Sequence, residues 1–436
     1  MNENVLDLST TWVGIAVLAI FIIGYYFIAT EEKYEINKAK PALFIGTFSF
    51  MLIGIFYTLN GMDPTPLHHE MTVLIEEIAE IFFFLFVAMT FIETLIERGV
   101  FDVMKYNLVS KGYSYKKLFW LTGLLAFFIS PVADNLTTAL ILSTVLFTID
   151  KENHKFLVPG AINIVVAANA GGAWSPFGDI TTLMAWTAQK GEFVDFLFLF
   201  VPAVGGWLLT AWLLSRAVPK GQPPFDAATE EKPKMRDGGM VVVWLGVLTI
   251  SIAILGHQFF HFPAMWGMLF GLSILKLYAF RLTQQQNADG FDIFVNMKKI
   301  ENDTLLFFFG ILSAVGALHY IGFLGYVHDL YGMVGPTAAN IGVGFISAIV
   351  DNVPVMSAIL KASPEMAIDQ WMLVTLTAGI GGSLISFGSA AGVGVMGRLR
   401  GIYTFGSHMR YAWTILAGYI FSMGLWYVQF EIMGIY

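Results

Sequence analysis

Cysteine is absent from the 436 residues, and charge is scarce, with 13% of side chains being Asp, Glu, Lys or Arg. The first absence removes disulfide frameworks, thiolate metal sites, iron–sulfur clusters and cysteine nucleophiles together. The second, beside 56% hydrophobic residues and a mean hydropathy of +0.69, excludes the two or three soluble domains that the length alone would allow. What remains is the composition of an all-α polytopic membrane protein whose surroundings are a lipid bilayer. A hydrocarbon core about 30 Å thick takes roughly 20 apolar residues per helix, so the chain has room for about ten spans. A net charge of -8 offers nothing to nucleic acid. Positive charge is also missing from the leading MNENVLDLST, and no small-residue cleavage site follows, so the first apolar stretch is expected to stay in the mature protein.

Apolar stretches bounded by charge or Pro/Gly clusters fall at about 10–29, 41–59, 72–95, 117–148, 196–215, 239–256, 262–280, 304–320, 335–360 and 411–430. Two more, 154–190 and 366–402, are interrupted by the Gly-rich centres NAGGAWSPFGD and GIGGSLISFGS, and are read as re-entrant hairpins. Such a non-helical tip is tolerable at membrane depth only where it lines a cavity inside the protein. With the N-terminus outside, this layout puts 21 of the 24 Lys and Arg on the inner side and leaves Lys151, Lys155 and Lys190 outside. That bias predicts both termini on the outer face.

The chain repeats itself. SPVADN (130–135) recurs as SAIVDN (347–352), and each is followed by the same GG-x4-FG spacing, at Gly171 to Gly178 and Gly381 to Gly388. The organisation expected is a first repeat over 1–215, a cytoplasmic linker over 216–238 rich in Pro and charge, and a second repeat over 239–436. Each repeat would carry a helix broken at its Asp-Asn pair, at 134 or 351, and one hairpin. Five crossings per repeat is an odd number, so the two should be inverted, as in secondary transporters whose sites lie where broken helices and hairpin tips meet.

Asp134 and Asn135 follow Ser130 and Pro131 in an apolar stretch over 30 residues long, and Asp351 and Asn352 stand before Pro354. A helix break there frees backbone carbonyls and amides. Asp134 as a plain N-cap is the bland alternative. Asn or Ser would cap as well without a charge costing roughly 3 kcal/mol at the bilayer centre. Asp179 is the third such acid, followed by Thr181 and Thr182, and its counterpart is the neutral Ser389. Three bare buried carboxylates would cost on the order of 9 kcal/mol, comparable to a whole domain's stability, so a proton or a bound cation must neutralise them. Carboxylates, Asn amides, Ser and Thr hydroxyls and unwound carbonyls form the oxygen set that a small hard cation such as Na+ or Li+ takes. Because desolvation disfavours the charged carboxylate, such a group holds either a proton or a cation. Competition for one site open alternately to each side is cation/proton exchange.

SPVADNLTTALIL, NAGGAWSPFGDITTLM and SAIVDNVP resemble the NhaD-type sodium/proton antiporters, within the ion transporter superfamily that also holds arsenite, citrate and dicarboxylate carriers. The resemblance runs from about residue 70 to 430. It implies exchange of internal Na+ or Li+ for external protons in a bacterial inner membrane, by a homodimer with no resident cofactor. The family pattern carries over to Asp134, Asn135, Asn169, Asp179, Thr181 and Thr182, and in the second half to Ser347, Asn352, Ser386 and Ser389, with Asp351 also fitting. The cation itself is expected at Asp134, Asp179, Thr181 and Thr182. A His expected in the third span is not evident, the nearest being His68 and His69.

An anion carrier of the same superfamily is the competing reading, although Asp179 beside Asp134 would repel an anion. Enzymes fit less well. An intramembrane aspartyl protease would need Gly-x-Gly-Asp where the chain reads Pro176-Phe177-Gly178-Asp179, and no His-Glu-x-x-His for zinc proteolysis occurs.

Overall fold

A computed structural model of the protein describes residues 7–34, 36–223, 232–286 and 291–435, so residues 224–231 of the expected linker lie outside the described residues. The described residues are helical, without strands. The principal helices are α1 (Trp12–Ala29), α2 (Ala39–Leu59), α3 (Thr65–Glu97), α4 (Tyr115–Ala133), α5 (Asn135–Ile149), α6 (His154–Gly172), α7 (Ile180–Thr187), α8 (Phe200–Leu214) and α9 (Gly239–Phe260). They continue with α10 (Ala264–Gln286), α11 (Asn302–Ile321), α12 (Pro336–Ile349), α13 (Asn352–Ala362), α14 (Ile368–Gly381), α15 (Ala390–Arg398), α16 (Phe405–Met409) and α17 (Ala412–Tyr427). Polar side chains mark the starts: Thr11, Ser114 and Asn153 each accept a backbone N–H of the first turn that follows, replacing a partner the helix cannot supply.

Among the described residues ten helices are long and apolar enough to cross a membrane, the number expected, but the membership differs. The expected spans 117–148 and 335–360 are each two shorter helices, while α6, inside an expected hairpin, is itself long enough.

The chain forms two units. One comprises Met1–Phe86, Glu301–Ala339 and Val353–Met366. In it α2 and α11 touch backbone to backbone at Gly46 and Gly310, where a methyl group on either would strike the other helix. Tyr57 and Tyr320 share a hydroxyl hydrogen bond of 2.6 Å, and Lys361 pairs with Glu77.

The other unit, Val87–Ile300, Asn340–Asn352 and Ala367–Tyr436, holds the sequence motifs. Here α4 and α5 are not one broken span. The hydroxyl of Tyr115, the first residue of α4, donates to Asp150, the cap after α5, at 2.6 Å. The chain therefore turns back at Asp134, where φ is 53°, and returns to its starting level. Asp is one of the few residues that tolerate such a backbone. By contrast, α6 runs alongside α4 in the same direction: Asn163 donates to Phe119 O at 2.8 Å, and Ser130 to Ala168 O at 2.6 Å. After the turn at 173–179 the chain goes on in α7 without returning beside α6. Trp174 packs edge-on against Phe200, whereas Trp186, near the end of α7, meets Phe193, which lies before Phe200 in the chain that comes back past this end. So the doubling-back pair is 115–149 and the interrupted helix is 154–187, the reverse of the order expected from sequence.

The second copy repeats these contacts. Ser347 donates to Ala378 O at 2.7 Å as Ser130 does to Ala168 O. Gly381 lies against Gly344 as Gly171 lies against Phe127, and Gly388 against Ala348 as Gly178 against Ser130. Asn340, near the start of α12, donates to Gln370 O near the start of α14 at 2.9 Å, so α12 and α14 also run side by side in one direction. The interrupted helix is then 368–398, not a hairpin over 366–402. The reason for the reversal is physical: a one-residue turn leaves no polar loop, so hydropathy sees 117–148 as a single stretch, while a Gly-rich break looks like a turn.

Candidate ion-binding site

Asp179 occupies the start of α7, where its carboxylate caps the helix. Its Oδ1 accepts the Thr181 N–H at 2.9 Å and the Thr181 hydroxyl at 2.8 Å. Its Oδ2 accepts Asn135 Nδ2 at 2.6 Å and Asn352 Nδ2 at 3.2 Å. A carboxylate only accepts, so both asparagines must present their NH2 groups to it. Asp179 is 3% exposed, and among the described residues no Lys, Arg or His pairs with it. Four donors solvate this carboxylate, but none brings a compensating charge. Buried charges are ordinarily paired or bound to metal.

Asn169, buried one turn before the end of α6, extends the network. Its Oδ1 accepts Asn135 Nδ2 at 3.1 Å, and its Nδ2 donates to Ser383 Oγ at 2.8 Å and Ser389 Oγ at 2.9 Å. Ser389 also caps α15 through Gly392 N–H, as Asp179 caps α7. Two helix turns, at Asp134-Asn135 and Asp351-Asn352, thus meet two helix breaks, at 173–179 and 382–389.

The expected residues are distributed as follows. Asn135, Asn169, Asp179, Thr181, Asn352 and Ser389 join one hydrogen-bonded set. Asp351, 6% exposed, lies within electrostatic reach of Asp179. Asp134 is half-buried and caps α5 through the N–H and hydroxyl of Thr137, at 2.8 and 2.7 Å. Thr182 turns back toward Gly172 O at 3.4 Å, and Ser347 binds Ala378 O. Ser386 is fully buried, and its hydroxyl has no hydrogen-bond partner among the described residues. Ser383 is a member that sequence reasoning missed. Its counterpart in the first motif is Ala173, so a search for residues shared by the two copies passes over it.

Every polar atom facing Asp179 is oxygen or amide. Among the described residues no group of three or more His, Cys, Asp or Glu could hold a metal ion, so this is not the donor set of a transition metal. A buried carboxylate among uncharged amides and a hydroxyl is instead a group that a proton or a small cation can neutralise.

The chain is similar to known proteins over nearly its whole length. The family model described as "Citrate transporter" (CitMHS) matches residues 25–379. The Na(+)/H(+) antiporter NhaD of Alkalimonas amylolytica is 42% identical, covering 96% of this chain and 91% of that protein. The protein of the same name from Vibrio cholerae is 42% identical over 97% and 93%, and that of Halomonas elongata 40% identical over 96% and 89%. With relatives of this identity spanning both of its repeated motifs, the chain belongs to the NhaD-type sodium/proton antiporter family.

Proposed function

We propose that this protein is a secondary active transporter that exchanges cytoplasmic Na+, or Li+, for external H+, with Asp179 as the group for which the cation and the proton compete. The observation that carries the reading is a carboxylate at 3% exposure, held by four donors and lacking a charged partner among the described residues. Such a group is neutral with a proton or compensated by a cation, and each displaces the other. Asn135, Asn169 and Asn352 orient the carboxylate, Ser383, Ser386 and Ser389 add oxygens, and Asp134 and Asp351 add negative field at the two turns. A carrier of anions, which the citrate description of the family model suggests, fits less well, because its substrate would meet the carboxylate of Asp179, with which no Lys, Arg or His pairs among the described residues.

The two copies are read as inverted repeats, each with a re-entrant pair (115–149 or 336–362) and an interrupted span (154–187 or 368–398). This layout moves Lys151 and Lys155 inward and Lys361 outward, so that 22 of the 24 Lys and Arg face the cytoplasm and only Lys190 and Lys361 do not. The stronger bias supports it over the first layout, and both termini stay outside. Alternating access at the site, a bacterial inner membrane and a homodimer belong to the same reading.

The test is dequenching of a pH-gradient dye in everted vesicles with Na+, Li+, K+ and citrate added separately. Wild type should respond to Na+ and Li+. Asp179→Asn should not respond; its oxygen can keep the Thr181 cap, but its NH2 then faces the NH2 groups of Asn135 and Asn352, so a modest fall in melting temperature is expected beside the lost response. A citrate response in place of the cation responses would refute the exchange reading.

A further inference from the structure

The segment between α15 and α17 contains no residue of the repeated motifs, but its short helix α16 buries His408 completely. His408 Nε2 lies 3.1 Å from Ser383 O and 3.3 Å from Leu384 O, and its Nδ1 lies 2.8 Å from the Tyr403 hydroxyl. Carbonyls only accept, so Nε2 carries the hydrogen, and Nδ1 is left to accept from Tyr403. In the neutral ring this is the Nε2–H tautomer.

Those two carbonyls belong to the turn just past α14. A helix end leaves its last carbonyls without intrahelical donors, and buried carbonyls need partners. At the first break, the hydroxyl of Thr182 approaches Gly172 O at 3.4 Å and Ala173 O at 3.5 Å. At the second break the position of Thr182 is taken by Gly392, which has no hydroxyl to offer. His408 arrives from outside the repeated motif and gives the carbonyl of Ser383, the counterpart of Ala173, its donor. Ser383, whose carbonyl it holds, is the residue whose hydroxyl meets Asn169 at 2.8 Å.

We propose that His408 is a positioning residue of the ion site: through Nε2–H it holds the Ser383–Leu384 turn so that the Ser383 hydroxyl stays on Asn169, and it touches no ion itself. The proposal rests on the cation-exchange reading of that site. Without His408 the turn loosens, Ser383 leaves Asn169, and the cation loses a preorganised oxygen. The loss falls on Na+ affinity before it falls on turnover.

The test uses the full-length protein in vesicles. His408→Ala should raise the Na+ KM by about five- to tenfold, the equivalent of roughly one hydrogen bond, with the maximal rate little changed. His408→Gln carries an amide N–H close to the place of Nε2 and should recover most of the affinity, while Tyr403→Phe, which frees Nδ1, should fall between. A second readout needs no transport. Since the chain lacks cysteine, Ile385→Cys in the turn gives a single thiol, whose rate of maleimide labelling should rise several-fold with His408→Ala and return with His408→Gln. An unchanged KM with unchanged labelling overturns the proposal. So does a lowered maximal rate at constant KM that Gln fails to restore, which would mark a purely structural histidine. Should wild type show no Na+ response while labelling still follows His408, the exchange reading fails and the positioning of the turn stands. If His408→Ala does not accumulate, the KM and labelling of His408→Gln and Tyr403→Phe decide in the same way.

Discussion

Asn135 donates its side-chain amide to Asp179 across 2.6 Å, and Asn352, its counterpart in the second motif, donates to the same carboxylate oxygen across 3.2 Å. The first residue of one helix after a turn is thereby tied to the cap of another helix after a break, and the second copy adds its own asparagine from the far side. Repetition in the sequence has become convergence on one carboxylate.

The two asparagines should not be equivalent. Asn135→Ala removes the shorter bond to Asp179 and also the donor to Asn169 Oδ1 at 3.1 Å, leaving a buried carboxylate and a buried amide each short of a partner. Such losses cost about 1–3 kcal/mol. Asn352→Ala removes only the longer contacts, at 3.2 and 3.3 Å. Thermal melts of the purified variants, with Na+ KM from vesicles, should rank wild type, Asn352→Ala and Asn135→Ala in order of decreasing stability and affinity. Reversal of the two alanine variants would deny Asn135 its place at the centre.

Asp134 separates capping from charge. Asn accepts from the Thr137 N–H as Asp does and tolerates the positive φ of 53°, so Asp134→Asn should melt with wild type. Asp134→Ala loses the cap, at a cost of about 1 kcal/mol, in a backbone that Ala disfavours. If Asp134 adds negative field to the site, both variants should raise the Na+ KM by a similar factor while only Ala lowers the melting temperature. Wild-type KM in Asp134→Asn would reduce Asp134 to a cap.

Much of this was legible in the residues, and the part that was not has a common cause. The number of spans, the repeated motif and the candidacy of Asn135, Asp179 and Asn352 are legible in composition and motif, and Asn169 enters through the family resemblance. The direction of the chain after each motif is not, because a helix that continues and one that turns back at a single residue have the same hydropathy. The bond from Tyr115 to Asp150 distinguishes them. Ser383 and His408 were hidden for a different reason: both lie where the second copy departs from the first, and a repeat draws attention to what is shared. His408 also sits in a short helix whose only sequence signal is a lone histidine, and lone histidines are common in loops.

The close approach of helices at equivalent glycines gives a test of the repeated packing. A methyl group at Gly171 would strike the Phe127 backbone, and one at Gly381 the backbone of Gly344. Backbone cannot step aside as a flexible side chain can. Gly171→Ala and Gly381→Ala should each destabilise by about 1–3 kcal/mol and slow exchange together, whereas Gly397→Ala, which meets nothing within 4 Å, should be silent in both. A tolerated methyl at either buried glycine would mean that the helices are not in contact there.

The path of the chain can be read directly in membranes. Glu152 and Lys111 are both exposed, and the bond between Tyr115 and Asp150 brings the segments that carry them to one end of the helix pair. In the cysteine-free chain, Glu152→Cys and Lys111→Cys should therefore react with an impermeant maleimide from the same side: both in everted vesicles, neither in right-side-out ones. A span running unbroken from 117 to 148 would place them on opposite sides. Opposite labelling would restore that reading, return Lys151 and Lys155 to the outer face, and leave the charge bias weaker than the folded-back pair makes it.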